Sequence, residues 1–125
     1  MRVLVVDDEE IILSLAQKIL TRAGCETFLA DNGVEGLNLF SQNHEQIDLV
    51  ILDISMEGLS GFDVLRRIRR ISPAIPAIVS SGHPFNEDDL PDDLATNTCL
   101  LQKPYRSTAL VNKVLEILRG PARVP

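Results

Sequence analysis

The feature that most constrains this chain is an alternation of five short apolar runs with stretches of helical spacing. The runs are Val3–Val6, Cys25–Ala30, Asp48–Asp53, Ala77–Ser80 and Cys99–Gln102. Each reads as a strand, and the third, flanked by turn formers, as one buried on both faces of a parallel sheet. Strand–helix alternation repeated five times predicts one parallel sheet with right-handed crossovers and helices on both faces. The third run, Asp-Leu-Val-Ile-Leu-Asp, is the centre of the pattern because it ends on the carboxylate of Asp53.

The intervening stretches carry apolar stripes at helical spacing. Over roughly 10–23 the stripe is Ile12, Leu15, Ala16, Ile19, Leu20 and Ala23, and Gly24 stops the helix. Asp31-Asn32-Gly33 is turn and cap chemistry, and a second helix carries Val34, Leu37, Leu39 and Phe40 to about residue 41. A third runs from about 61 to 71 with Phe62, Leu65 and Ile68 inward, and the last covers about 106–119 with Leu110, Val111, Val114, Leu115 and Leu118. Between 84 and 97 no full apolar period survives. Pro84 and Pro91 bracket Asn86-Glu87-Asp88-Asp89, so a fourth helix is expected to be short or irregular. Residues 1–119 read as one domain and 120–125 as a tail or the start of a linker.

Charge and cysteine usage narrow the classes. A formal net charge of −6 disfavours non-specific nucleic-acid binding and fits an acidic, cation-binding pocket. No apolar stretch approaches the roughly 20 residues of a membrane span, and Met1-Arg2 is not the start of a signal peptide, so the expected setting is cytoplasmic. Cys25 and Cys99 lack metal-ligand or dithiol spacing and read as small hydrophobic residues. If strands two and five form opposite edges of the sheet, with three strands between them at about 4.8 Å per step, a disulfide is out of reach.

In a parallel sheet the carboxyl ends of the strands converge on one rim, where ligands bind. Strand one ends on Asp7 and Asp8, strand three on Asp53, strand four on Ser81 and strand five on Lys103. Carboxylates held close together repel unless a cation joins them, and an all-oxygen set favours Mg²⁺. Lys103 offers a compact positive charge to a phosphate oxygen, and Ser81 a hydroxyl donor. A metal, an ammonium and a hydroxyl around one carboxylate are what a transferring phosphoryl group requires, with Asp53 as nucleophile. Each piece alone is commonplace: an Asp-Asp pair after a strand is usually a helix cap, and Ser-Gly is usually a turn. Four successive strand ends carrying all of them in this order are not.

This constellation resembles the response regulator receiver domain, the CheY-like phosphoacceptor module of two-component signalling. The match runs from Val3-Leu4-Val5-Val6-Asp7-Asp8-Glu9 through Asp53, Met56, Gly61 and Ser81-Gly82 to Lys103-Pro104-Tyr105. The resemblance implies a flavodoxin-like (βα)5 sheet of order 2-1-3-4-5 and phosphorylation of Asp53 by a histidine kinase or phosphotransfer protein. It implies Mg²⁺ held by Asp8 and Asp53, by Asp7 mainly through water, and by the backbone carbonyl of Ser55. Ser81 and Lys103 would hold the phosphoryl oxygens, and the bond before Pro104 is expected to be cis. Such a domain is a signalling element that catalyses only its own phosphorylation and dephosphorylation. Its further partners are a downstream output domain or protein and, as a candidate, a second copy of itself. The competing reading is a pseudo-receiver that binds partners without phosphorylation; the complete set Asp7, Asp8, Asp53, Ser81 and Lys103 argues against it. A free-standing hydrolase would need a deep substrate pocket and a dedicated general base, for which the sequence offers no candidate.

The chain departs from the family at three places. Glu57 follows Met56 where proline is usual, Thr96-Asn97 stands where a glycine often ends the fourth helix, and Leu100 occupies the usual aromatic switch position. Asn97 tolerates the left-handed conformation, so that turn is expected to survive. Leu100 removes the usual hydroxyl–aromatic coupling and shifts the expected switch to ordering or movement of 84–97. His83 either gates water at the phosphoryl group or is an exposed loop histidine; His44 reads as surface. Arg66, Arg67, Arg69 and Arg70 read as a solvated basic stripe. Ile11 and Leu13 fall outside the core stripe of the first helix and are either partner contacts or peripheral packing.

Overall fold

The computed structural model describes residues 1–119, with backbone alone for Glu87, Leu118 and Arg119. The expected tail at 120–125 and the inward role of Leu118 lie outside what is described. Five strands, β1 (Arg2–Val6), β2 (Glu26–Ala30), β3 (Leu49–Asp53), β4 (Ala77–Ser81) and β5 (Thr98–Gln102), form one parallel sheet of order β2-β1-β3-β4-β5. The three inner strands are buried on both faces, whereas β2 and β5 at the edges are only half-buried, which is why the inner runs are almost wholly apolar.

Four helices cover the sheet: α1 (Glu10–Arg22), α2 (Gly33–Asn43), α3 (Gly61–Ile71) and α4 (Ser107–Arg119). One face packs against α1 and α4 through Ile12, Leu13, Ala16, Ile19, Leu20, Leu110 and Val114. The other packs against α2 and α3 through Phe40, Val64, Leu65 and Ile68. Asn32 caps α2 by accepting from the Glu35 amide at 2.8 Å, and Ser60 caps α3 from the Asp63 amide at 3.2 Å. No side chain caps α1. The acidic run after β1 is therefore not spent on that helix.

The 84–97 segment holds only two single 3₁₀ turns, Glu87–Asp89 and Asp92–Leu94, as the prolines foretell. Leu90 and Leu94 anchor it in the core, and Asn97 takes the left-handed conformation at φ 57°. The Lys103–Pro104 bond is cis, and no disulfide joins Cys25 and Cys99.

Several side chains differ from the helical stripes. Leu13 is core, not peripheral, while Ile11 stands 81% exposed. Ala23 and Val34, expected inward, are exposed, Leu115 is exposed at the edge of its stripe, and His44 is half-buried with its ring near Phe40. The arginine stripe is divided. Arg67 and Arg70 are solvated, but Arg66 pairs with Asp93 at 2.8 Å. Arg69 donates to the carbonyls of Ile75 (3.0 Å), Leu94 (3.2 Å) and Asn97 (3.0 Å). Arg69 thus fastens the end of the 84–97 segment to α3, and Arg66 adds an exposed ion pair.

Candidate functional site

The parallel ladder brings the predicted residues together. Asp53 is the last residue of β3 and Ser81 the last of β4, while Asp7 and Lys103 each directly follow a strand. Asp7, Asp53 and Lys103 are only 1%, 2% and 9% exposed. Charges so deeply placed are costly unless paired. The Lys103 ammonium pairs with three carboxylates at once: Asp7 Oδ2 at 2.8 Å, Asp53 Oδ2 at 3.1 Å and Glu9 Oε1 at 3.1 Å. Backbone amides hold the other oxygens, Glu9 N–H on Asp7 Oδ1 at 2.9 Å and Ser55 N–H on Asp53 Oδ1 at 3.0 Å.

The electrostatics follow from this crowding. Burial, with Asp53 adding repulsion, pushes the Asp7 carboxyl up to about 6 despite the help of Lys103 and the Glu9 amide. Burial alone would lower the Lys103 ammonium; its bonds to Asp7, Glu9 and Asp53 more than offset that and hold it above the ordinary lysine value. Lys103 thus stays charged, and the carboxylates outnumber it.

Asp7, Asp8, Glu9 and Asp53 each offer an oxygen, all within 4.8 Å of one another. Asp7 Oδ2 is buried, with the Lys103 ammonium beside it at 2.8 Å. An all-oxygen set whose carboxylates outnumber the one ammonium among them fits a hard divalent cation. Asp8 and Glu9 are exposed, which leaves one side of the set open to the waters Mg²⁺ retains. Glu9 was not singled out in the sequence, where it belongs to the acidic run that closes the first strand; the signal was a third acid directly after Asp7-Asp8.

Ser81 reaches the rim, but its hydroxyl is turned onto its own loop. It donates to the His83 carbonyl at 3.0 Å and accepts from the His83 amide at 3.0 Å. The His83 side chain is exposed. Beside Ser81 lies a cavity of about 320 Å³ bounded by Phe85, Asn86, Leu100, Leu101 and Gln102. Ser55 is exposed and contributes its amide to Asp53.

A family model described as "Response regulator receiver domain" matches residues 3–115. The chain is 36% identical over 118 residues to the uncharacterized transcriptional regulatory protein YrkP of Bacillus subtilis, covering 94% of this chain and 49% of that protein. It is 38% identical over 80 residues to the autoinducer 1 sensor kinase/phosphatase LuxN of Vibrio campbellii, covering 64% of this chain and 9% of that protein. The chain thus spans half or less of these relatives. Among solved structures it resembles the receiver domain of the hybrid histidine kinase CckA, with TM-score 0.79, 30% identity and coverage of 92% and 96%. It also resembles the response regulator TrrA of Thermotoga maritima in complex with Mg²⁺ and beryllofluoride, with TM-score 0.79, 35% identity and coverage of 91% and 96%.

Proposed function

The chain belongs to the response regulator receiver family, and on that premise we propose that it accepts a phosphoryl group on Asp53 from a histidine kinase or phosphotransfer protein, with Mg²⁺. The observation that carries this reading is the Lys103 ammonium within 3.1 Å of both Asp7 and Asp53 on the rim of the sheet. A charge so placed sits where the oxygens of a phosphoryl group on Asp53 would lie.

An Asp53 oxygen attacks the phosphorus of the donor's phosphohistidine. The new O–P bond makes an acyl phosphate as the P–N bond breaks, and the imidazole leaves with the electron pair and takes up a proton. Lys103 then holds one phosphoryl oxygen. Ser81 donates to another once its hydroxyl lets go of His83. The Ser55 amide keeps Asp53 Oδ1 fixed, which orients the carboxylate for attack. Mg²⁺, held by Asp7, Asp8, Asp53 and the Ser55 carbonyl, would neutralise charge on the phosphoryl oxygens. Water then attacks the acyl phosphate, which breaks the O–P bond, releases inorganic phosphate and restores the Asp53 carboxylate, so the domain turns over only its own modification.

Receiver domains act with histidine kinases and phosphotransfer proteins, and the relatives include transcriptional regulators. Among the described residues no helix is long and apolar enough to cross a membrane. We place the phosphotransfer in the cytoplasm and the output in a further domain or protein.

Incubation with Mg²⁺ and acetyl phosphate, followed by intact mass, tests the proposal. Wild type should gain about 80 Da, one phosphoryl group, and Asp53→Asn should not. No gain on wild type would leave the phosphorylation-independent module; a gain that survives the substitution would move the site.

A further inference from the structure

Two buried hydroxyls beneath the rim have no part in the chemistry above. Ser80 is fully buried in β4, and Tyr105, two residues after Lys103, is only 6% exposed. The Tyr105 hydroxyl lies 3.1 Å from Ser80 Oγ. Ser80 Oγ lies in turn 3.5 Å from the Leu52 carbonyl, and the Ser80 carbonyl accepts from the Ile54 amide at 3.0 Å. Leu52 and Ile54 flank Asp53, with which Ser80 is in register. Ser80 therefore clasps β3 on both sides of the phosphoacceptor, and Tyr105 clasps Ser80.

The chain from Gln102 to Ser107 carries the lysine and has few other anchors. The Lys103 amide donates to the Ser81 carbonyl at 2.8 Å, and the Gln102 side chain donates to the same carbonyl at 2.9 Å. These bonds fix the lysine's own amide and the residue before it, and the Gln102 side chain also reaches the Lys103 carbonyl at 3.3 Å. Tyr105 fixes the loop after the lysine. An apolar pair would fill the same space without burying two hydroxyls, so their presence asks for a role. Burial pushes the Tyr105 phenol up to about 12, which keeps it a donor across the ordinary pH range.

We propose that Tyr105, acting through Ser80, is a positioning residue that sets the distance between Lys103 and Asp53 and so the grip on the phosphoryl group. The inference rests on the phosphoacceptor reading of Asp53. It assigns to the hydroxyl pair a larger effect on phosphoryl binding than on the metal, because the Ser55 amide holds Asp53 Oδ1 and the Glu9 amide holds Asp7 Oδ1 wherever Lys103 sits.

Tyr105→Phe keeps the ring and removes only the hydroxyl. Mg²⁺ is titrated alone, and beryllofluoride is then titrated at saturating Mg²⁺ and followed by its bound ¹⁹F resonance. Tyr105→Phe should bind beryllofluoride roughly fivefold more weakly, the order expected for one buried hydrogen bond, with a smaller loss for Mg²⁺. Ser80→Ala should behave alike, and the double variant should be no worse than either single one. A purely structural pair would lower the melting temperature without this split. Beryllofluoride affinity equal to wild type, or equal losses for Mg²⁺ and beryllofluoride, would overturn the proposal. If wild type binds Mg²⁺ but no beryllofluoride, the phosphoacceptor reading fails instead. The pair is then judged by the lysine-ammonium NMR signal of Lys103 in the free protein. That signal should move in Tyr105→Phe; an unmoved signal refutes the positioning role.

Discussion

Gly61, the first residue of α3, is where the fold and the proposed chemistry can be separated by one methyl group. A Cβ at this position would lie 2.8 Å from the Asp53 carbonyl carbon and 2.9 Å from Ile54 Cα, and closer still to the Asp53 carbonyl oxygen. These are backbone atoms, so no side chain can swing aside. Restoring an ordinary carbon–carbon contact of about 3.5 Å requires a shift of about 0.7 Å, and it falls on the residue that carries the reactive carboxylate. Overpacking of this kind costs about 1–3 kcal/mol, here at the upper end, and better helix propensity returns at most about 1 kcal/mol. The net is about 2 kcal/mol. For a chain of this size that lowers the melting temperature by about 8 °C. Catalytic groups tolerate displacement of only about 0.5 Å, and 1 Å costs about a hundredfold, so phosphorylation should slow about tenfold.

Thermal unfolding by circular dichroism and the rate of mass gain with acetyl phosphate read the two effects separately. Gly82→Ala is the control for stability, since nothing lies within 4 Å of its Cβ, and should stay within about 0.5 kcal/mol of wild type. A Gly61→Ala protein that melts with Gly82→Ala would show that the close approach is absent. One that melts low but phosphorylates at the wild-type rate would show that the strain never reaches Asp53.

Asp8→Ala should weaken Mg²⁺ binding more than Asp7→Ala, because Asp7 is already committed to Lys103 and the Glu9 amide while Asp8 is open to solvent; equal titrations would sink the ligand assignment. In metal-free buffer the folded protein holds the Asp7 proton up to about pH 6, whereas the unfolded chain releases it near 3.8. Folding takes up a proton between those values, so this group's contribution to stability falls as pH rises through that window. Asp7→Asn should remove the fall, and denaturant midpoints with the same slope in both proteins would contradict it. Hydrogen exchange with and without beryllofluoride should change most in 82–90 and little in 92–97; an equal response at 92–97 would refute the division drawn there.

The sheet was legible because its inner strands are buried on both sides and leave almost unbroken apolar runs. The helix faces were less so. α2 meets its neighbours partly through Gly33 and Gly36, where a Cβ would come within 2.8 Å of Val64 and 2.7 Å of Val6 respectively. Glycine carries no hydrophobic signal, so the stripe was drawn through Val34, which is 61% exposed. Leu13 was missed because α1 packs on a broad face rather than a narrow seam. In the site, Asp7, Asp8, Asp53, Ser81 and Lys103 could be read because each falls at a strand end, a position that the sequence marks. Glu9, Ser80, Arg66 and Arg69 could not, since their partners Lys103, Tyr105, Asp93 and Leu94 are remote in sequence and only the finished fold brings them near.

The same distinction bears on how a signal leaves the site. Asp7, Asp53 and Lys103 hang from a ladder of parallel strands and cannot travel far without breaking it. Ser81 differs, because its hydroxyl is committed in both directions to the backbone of His83. To donate to a phosphoryl group it must give up its bond to the His83 carbonyl, one of its two ties to that loop. Movement passed along that loop reaches Phe85, whose ring packs 6.1 Å from Phe62 and borders the cavity beside Leu100. It meets resistance at Leu90 and Leu94, both buried, and then at the arginines. Arg66 contributes little there, since its pair with Asp93 is exposed. Arg69 is the firmer stop, because freeing 92–97 would strip partners from the carbonyls of both Leu94 and Asn97. With only two 3₁₀ turns between β4 and β5, the segment thus has an end held by Arg69 at 92–97 and a beginning that this arginine does not reach. The ring best placed to respond to Ser81 is Phe85, on the loop, and not a residue of β5.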